Sequence, residues 1–169
     1  MNDMNPIIAF FENQVKAEAE ITRKFLSIIP EDKYSWKPHP KSMTIQRLAT
    51  HLAELPGWVP MGINTDVLDF AASDYKPTPI KNNEDLKALF EENQKKALES
   101  LSKTTDVFLQ NSWTMKNGDQ IYFTITKQEV IRMAVSQTIH HRAQLGVFLR
   151  LLDIPIPGSY GPSADDPTM

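Results

Sequence analysis

Gln137 and His141 stand four residues apart near the C-terminal end of the sequence, and His51 stands alone far upstream. On a helix, residues four apart lie one turn above the other, so an amide and an imidazole share a face. They fall among Val130, Ala134, Leu145, Phe148 and Leu152, whose three-and-four spacing marks a buried stripe. Polar groups in such a stripe need partners, because an unsatisfied buried polar group costs about 1–3 kcal/mol. His51 follows Leu48 by three and precedes Leu52, which points it close to the apolar side of its own helix. Inward imidazoles on different helices of a bundle can hold zinc, nickel or iron. The other reading of each is a core histidine satisfied by hydrogen bonds.

The neighbours of His141 have readings of their own. His140 and Arg142 lie about 100° to either side of it on the helix, at the edge of the stripe. His140 is a second ligand, an acid or base at the solvent edge, or a boundary residue. Arg142 binds an acidic substrate group or pairs with a carboxylate of the second helix such as Glu54, and the ordinary ion pair is the expectation. Glu54 and His140 are the candidates for a general base by position alone. His39, among prolines, carries no specific meaning. The sequence has no glycine-rich phosphate loop, no GxSxG elbow and no HExxH. Ser136 lies inside a helix and offers no strained elbow for a serine nucleophile. With no cysteine in the chain, disulfides, thiolate metal sites and a cysteine nucleophile are all excluded.

Four helices must position these residues. The first opens at Pro6, with Asn5 available as cap, carries Ile8, Phe11, Val15, Ala19, Leu26 and Ile29 on one face, and ends at Pro30. Residues 30–43 contain three prolines and read as an ordered loop. Thr44 caps a second helix with Ile45, Leu48, Leu52 and Leu55 inward, and Pro56–Gly57 kinks or ends it. Residues 62–82 read as irregular. Asn82 or Asn83 opens a third helix over Leu86, Leu89, Phe90, Ala97, Leu98 and Leu101, with Glu84 and Asp85 at its positive end. Asn117–Gly118, between 113–115 and 121–124, predicts a hairpin. The last helix spans 126–152, and Thr126 with Glu129 has capping-box spacing. Residues 154–169 are punctuated by proline and glycine and form an irregular tail. Trp36, Trp58 and Trp113 sit near element ends, where they line a pocket mouth or cap the core. The pattern predicts an all-α helix bundle with a small hairpin insertion before the last helix, in one domain over residues 1–169.

At 169 residues the chain can bury roughly two thirds of its unfolded surface. Its net charge of −3 and pI of about 5.8, with both signs interspersed, give no basic face for nucleic acid. The first residues, with Asp3 and Glu12 around a short apolar patch, lack the features of a signal peptide, and no apolar run is long enough to span a membrane. A cytoplasmic protein without membrane or nucleic-acid partners is the expectation.

Two stretches together, LATHLAELPGW (48–58) and QTIHHRAQLGVFLRLLDIPIPGSYGPSADD (137–166), resemble the DinB family, whose wider relatives include mycothiol- and bacillithiol-dependent transferases. The resemblance covers essentially the whole chain. It implies an up-down four-helix bundle in which three side chains, usually all histidine, hold a divalent metal at one end. One comes from the second helix and two from the last helix at i and i+4. On this sequence those positions are His51, Gln137 and His141. Glutamine is the departure, a neutral oxygen donor where the family has imidazole. The metal (zinc, nickel or manganese) is then held more loosely, or the site has lost it. The implied activity is metal-dependent hydrolysis or thiol transfer on a small molecule, with a low-molecular-weight thiol as possible cofactor. The alternative is a non-catalytic small-molecule-binding or stress-response module with a degenerate site. The family also implies a homodimer, and Tyr160 of the tail is expected to approach the site.

Overall fold

The computed structural model describes residues 5–167; Asp3 and the two outermost ends of the single-domain assignment lie outside the described residues. Helix α1 spans Pro6–Ser27, α2 Ile45–Glu54, α3 Trp58–Asn64, α4 Asn83–Leu101 and α5 Lys127–Leu151. Pro56 and Gly57 do not end the second helical column. They turn it through one tight turn, Leu55–Gly57, into α3. Helix α1 packs against α4 and α5, and the α2–α3 column packs against the same two helices.

The all-α expectation needs correction. Strands β1 Val67–Asp69, β2 Ser112–Asn117 and β3 Gln120–Thr126 form a three-stranded sheet in that order. Strands β2 and β3 are the predicted hairpin, joined through Gly118 and Asp119, with Gly118 at a φ of +59° that favours glycine. Strand β1, in the stretch read as irregular, pairs parallel with β2, Val67 opposite Thr114. Asp69 fastens this corner, accepting from the backbone N–H groups of Gly118 (2.9 Å) and Ala71 (3.0 Å).

The local caps follow the sequence. Thr44 accepts from the Arg47 N–H, Asn82 from that of Asp85, and Thr126 and Glu129 form a full capping box. Asn5 does not cap α1 with its side chain. Asp106, from the connection after α4, takes the Ile7 and Ile8 N–H groups at 3.0 Å each, and Asn5 Oδ1 accepts from the Asp106 N–H. At the C-terminal end the chain leaves α5 through Asp153 at a φ of 57°, a left-handed residue after the helix.

Two apolar clusters fill the bundle. One joins Leu48 and Leu52 of α2 to Phe90, Leu145 and Leu149; the other joins Val59 and Ile63 of α3 to Val15, Ile131 and Ala134. Glu18 and Thr22 of α1, Gln94 of α4, and Thr138 and Arg142 of α5 are buried where the clusters meet. Gly62 lets α3 approach α5, since a Cβ there would stand 2.6 Å from Val130 Cγ1. Of the three tryptophans, Trp113 is fully buried and donates to Thr65 Oγ1, while Trp36 sets its ring edge-on to Phe148.

Candidate functional site

The buried line of α5 runs through Val130, Ala134, Thr138, Arg142, Leu145 and Leu149. Gln137 and His141, expected within the stripe, therefore lie one position off this line, and both are half-buried. His51 on α2 is also half-buried and meets His141 across the α2–α5 contact. The two rings stand at 77° with centroids 4.6 Å apart. An ion about 2 Å from one nitrogen of each ring, with each centroid about 1 Å further out, sets centroids about 4.5–5 Å apart. The centroid separation is compatible with one ion between two ring nitrogens, as it is with an edge-to-face ring contact.

Protonation favours the same use. Burial, then the neighbouring His141 and Arg47 charges, holds the His51 pKa below the ordinary imidazole value, with Glu54 opposing. Burial lowers His141 as well, opposed by its hydrogen bond to Gln144 and assisted by His140. Neutral imidazole is the form that binds metal. His141 Nδ1 lies 2.8 Å from Gln144 Oε1. An amide oxygen only accepts, so Nδ1 carries the proton and Nε2 keeps its lone pair. His51 and Gln137 make no side-chain hydrogen bond to another described residue. Among the described residues no three of His, Cys, Asp and Glu gather where they could hold a metal ion; Gln137 lies one helical turn before His141 on α5. His140 is exposed, its ring centroid 4.9 Å from that of His141.

A cavity of about 620 Å³ opens beside His51, between the α2–α3 column, α4 and the 65–80 connection. Arg47, His51 and Glu54 line it from α2, Trp58 and Met61 from α3, and Tyr75 from the connection. Its volume is in the range of small-molecule sites, about 300–1,000 Å³. Glu54 is already engaged as an acceptor: Tyr75 donates its hydroxyl at 2.6 Å, and the Thr78 N–H and hydroxyl donate at 2.9 Å each. A larger cavity, about 930 Å³, is bordered by Lys127. That side chain is only 1 % exposed and is spent on the carbonyls of Gly62, Ile63 and Thr65 and on the Asp66 carboxylate. It plugs the C-terminal end of α3.

Two expectations are corrected here. Arg142 does not pair with Glu54: it is 2 % exposed and binds Glu18 of α1 at 2.7 Å and Thr22 Oγ1 at 3.1 Å, in the bundle interior. Tyr160 does not join the histidines. Its hydroxyl donates to the Glu18 carboxylate at 2.7 Å and accepts from Arg142 Nη2 at 2.9 Å. The residues that sequence reading missed (Glu18, Arg47, Lys127 and Gln144) carry no spacing signal of their own.

A family model described as the DinB family matches residues 1–168. The chain is 24% identical over 166 residues to the uncharacterized protein YrdA of Bacillus subtilis, covering 88% of this chain and 85% of that one. A crystal structure of a DinB-like protein from Bacillus subtilis is 20% identical, covers 89% of this chain and 97% of its own, and superposes with a TM-score of 0.69. One from Bacillus cereus is 21% identical, covers 88% and 94%, and gives 0.67. At these identities the two structures speak to the fold. No helix among the described residues is long and apolar enough to cross a membrane.

Proposed function

The chain belongs to the DinB family, and on that premise we propose that His51, Gln137 and His141 hold a divalent metal used in hydrolysis or thiol transfer on a small molecule. The observation that carries this reading is the pair of imidazoles at 4.6 Å, with the His141 tautomer set so that Nε2 is free. Two nitrogen donors and one amide oxygen suit zinc, nickel or manganese with coordination positions left over for water or substrate. A divalent ion there would supply the positive charge that makes water or a thiol acidic near neutral pH. The chain's own contribution is placement. Helix α2 presents His51 at the edge of the cavity, Gln144 fixes the His141 ring, and the cavity receives the substrate while displacing bulk water.

Gln137 favours a second reading, a binding module that keeps the cavity without the chemistry, because an amide oxygen binds these ions more weakly than imidazole. Metal content of the protein prepared without a histidine tag or chelator, beside a His141→Ala variant, separates the two. Near-stoichiometric metal that falls several-fold in the variant supports the metal site. No metal in either protein, even after dialysis against excess zinc, nickel or manganese, sinks it and leaves the binding module.

A further inference from the structure

Asn117 is exposed at the end of β2, and Gly118 is the first of the two residues that turn the chain into β3. The Asn117 carboxamide makes no hydrogen bond to another described residue. An asparagine side chain and the next main-chain nitrogen can close a five-membered ring. Glycine after the asparagine adds no Cβ to hinder that closure. The pair therefore has the makings of a self-modifying site.

Asp69 holds the nitrogen that would attack. Its Oδ1 accepts from the Gly118 N–H at 2.9 Å and from the Ala71 N–H at 3.0 Å, and Lys116 Nζ stands 3.3 Å from Oδ2. The Gly118 N–H, opposed by burial and joined by the Ala71 N–H and Lys116, keeps the Asp69 carboxyl below its ordinary range. It is therefore ionised at neutral pH. A negative charge against an N–H opposes loss of that proton. The hydrogen bond must also break before the nitrogen can turn toward the carboxamide, which requires a local opening of the corner.

We propose that Asn117 is a site of non-enzymatic deamidation and that Asp69, by holding the Gly118 N–H, sets its rate. In an opened corner the Gly118 nitrogen gives up its proton and attacks Asn117 Cγ. The new N–Cγ bond forms, the bond to the side-chain nitrogen breaks, and that nitrogen leaves with a proton as ammonia. Water then opens the succinimide at either carbonyl, giving aspartate or isoaspartate at 117. Either product puts a negative charge on the turn that Asp69 fastens, and isoaspartate adds a methylene to the main chain there. Leu68 of β1 and Phe70 beside it line the cavity next to His51, so the change would reach that wall. The chemistry itself is independent of any metal.

The test is the rate at which the full chain deamidates at neutral pH, read by chromatography and mass spectrometry of the digested protein. An unstructured peptide spanning 112–122 is the reference. The native chain is expected to deamidate at Asn117 at least about tenfold more slowly than the peptide, the rate equivalent of one hydrogen bond to a charged group. Asp69→Ala should recover most of that difference. Asp69→Asn, which keeps an acceptor oxygen without the charge, should fall between. Asn111, exposed and followed by Ser112, is the internal control, because Asp69 does not hold the Ser112 N–H. Its rate should not change in either variant. Native protein as fast as the peptide, a peptide that stays intact, or variants no faster than the native chain overturns the proposal. So does an equal rise at Asn111, since general loosening of the fold would then account for the acceleration.

Discussion

His141 has two ring nitrogens, and Gln144, one turn further along α5, decides which of them is available. With Nδ1 donating to the Gln144 amide oxygen at 2.8 Å, the lone pair sits on Nε2. Gln144→Leu removes the acceptor without touching the ring. The proton is then free to occupy either nitrogen, and zinc affinity is expected to fall about tenfold, the low end for such a supporting contact because Gln144 is exposed. Competition against a zinc-sensitive dye would measure it, and an unchanged affinity would show that the tautomer is set elsewhere. Gln144 was not legible in the sequence, because glutamine three residues after a histidine is ordinary on a solvated face. His51 and His141 were legible as inward-leaning, and the structure brings their rings together. The finer direction was not. Residues 137 and 138, or 141 and 142, differ by about 100° around the helix, and three-and-four spacing accommodates either as the buried member. Burial of Arg142 rather than His141 is decided by Glu18 on α1, a residue that resembles any other charge on an amphipathic helix.

Among the elements, α1 shows best how local and distant information divide. Three of the four long helices begin with a cap within three residues of their own first turn, and these were readable from Thr44, Asn82 and the Thr126–Glu129 pair. Helix α1 instead takes its cap from Asp106, about a hundred residues along the chain, so no window around Pro6 contains it. The carboxylate satisfies two N–H groups that otherwise lack partners and sits at the positive end of the helix dipole. Asp106→Ala is expected to destabilise the fold by about 1–2 kcal/mol. The shift should show as a lower denaturation midpoint at unchanged slope. Asn5→Ala, which loses one bond to the Asp106 N–H and leaves the carboxylate in place, should cost less; the reverse order would mean that Asn5 is the effective cap. Strand β1 escaped the sequence for a related reason. Three residues contain too little alternation to mark a strand, and its partner β2 lies more than forty residues later.

At the scale of the whole molecule, the tail is fastened to the bundle at two points of different chemistry. Tyr160 reaches the buried Glu18–Arg142 pair, whose side chains are only 7 % and 3 % exposed. Further along, Arg150 of α5 binds Asp165, which also accepts from the Ile156 N–H at 3.0 Å. The Arg150 hydrogen bond, followed by the Ile156 N–H, holds the Asp165 pKa below the ordinary carboxylate range. A carboxyl whose folded value is depressed stabilises the docked tail above its unfolded pKa of about 4, and that contribution is lost as pH falls through the folded value. The second fastening should therefore open in acid. The observable is hydrogen exchange at the Ile156 amide, with protection falling as the pH drops below about 4 in the native protein. In Asp165→Asn the amide should be less protected at neutral pH and should lack that acid step. An acid step that persists in Asp165→Asn would place the titrating group elsewhere, and the Arg150–Asp165 pairing would no longer explain how the tail is held.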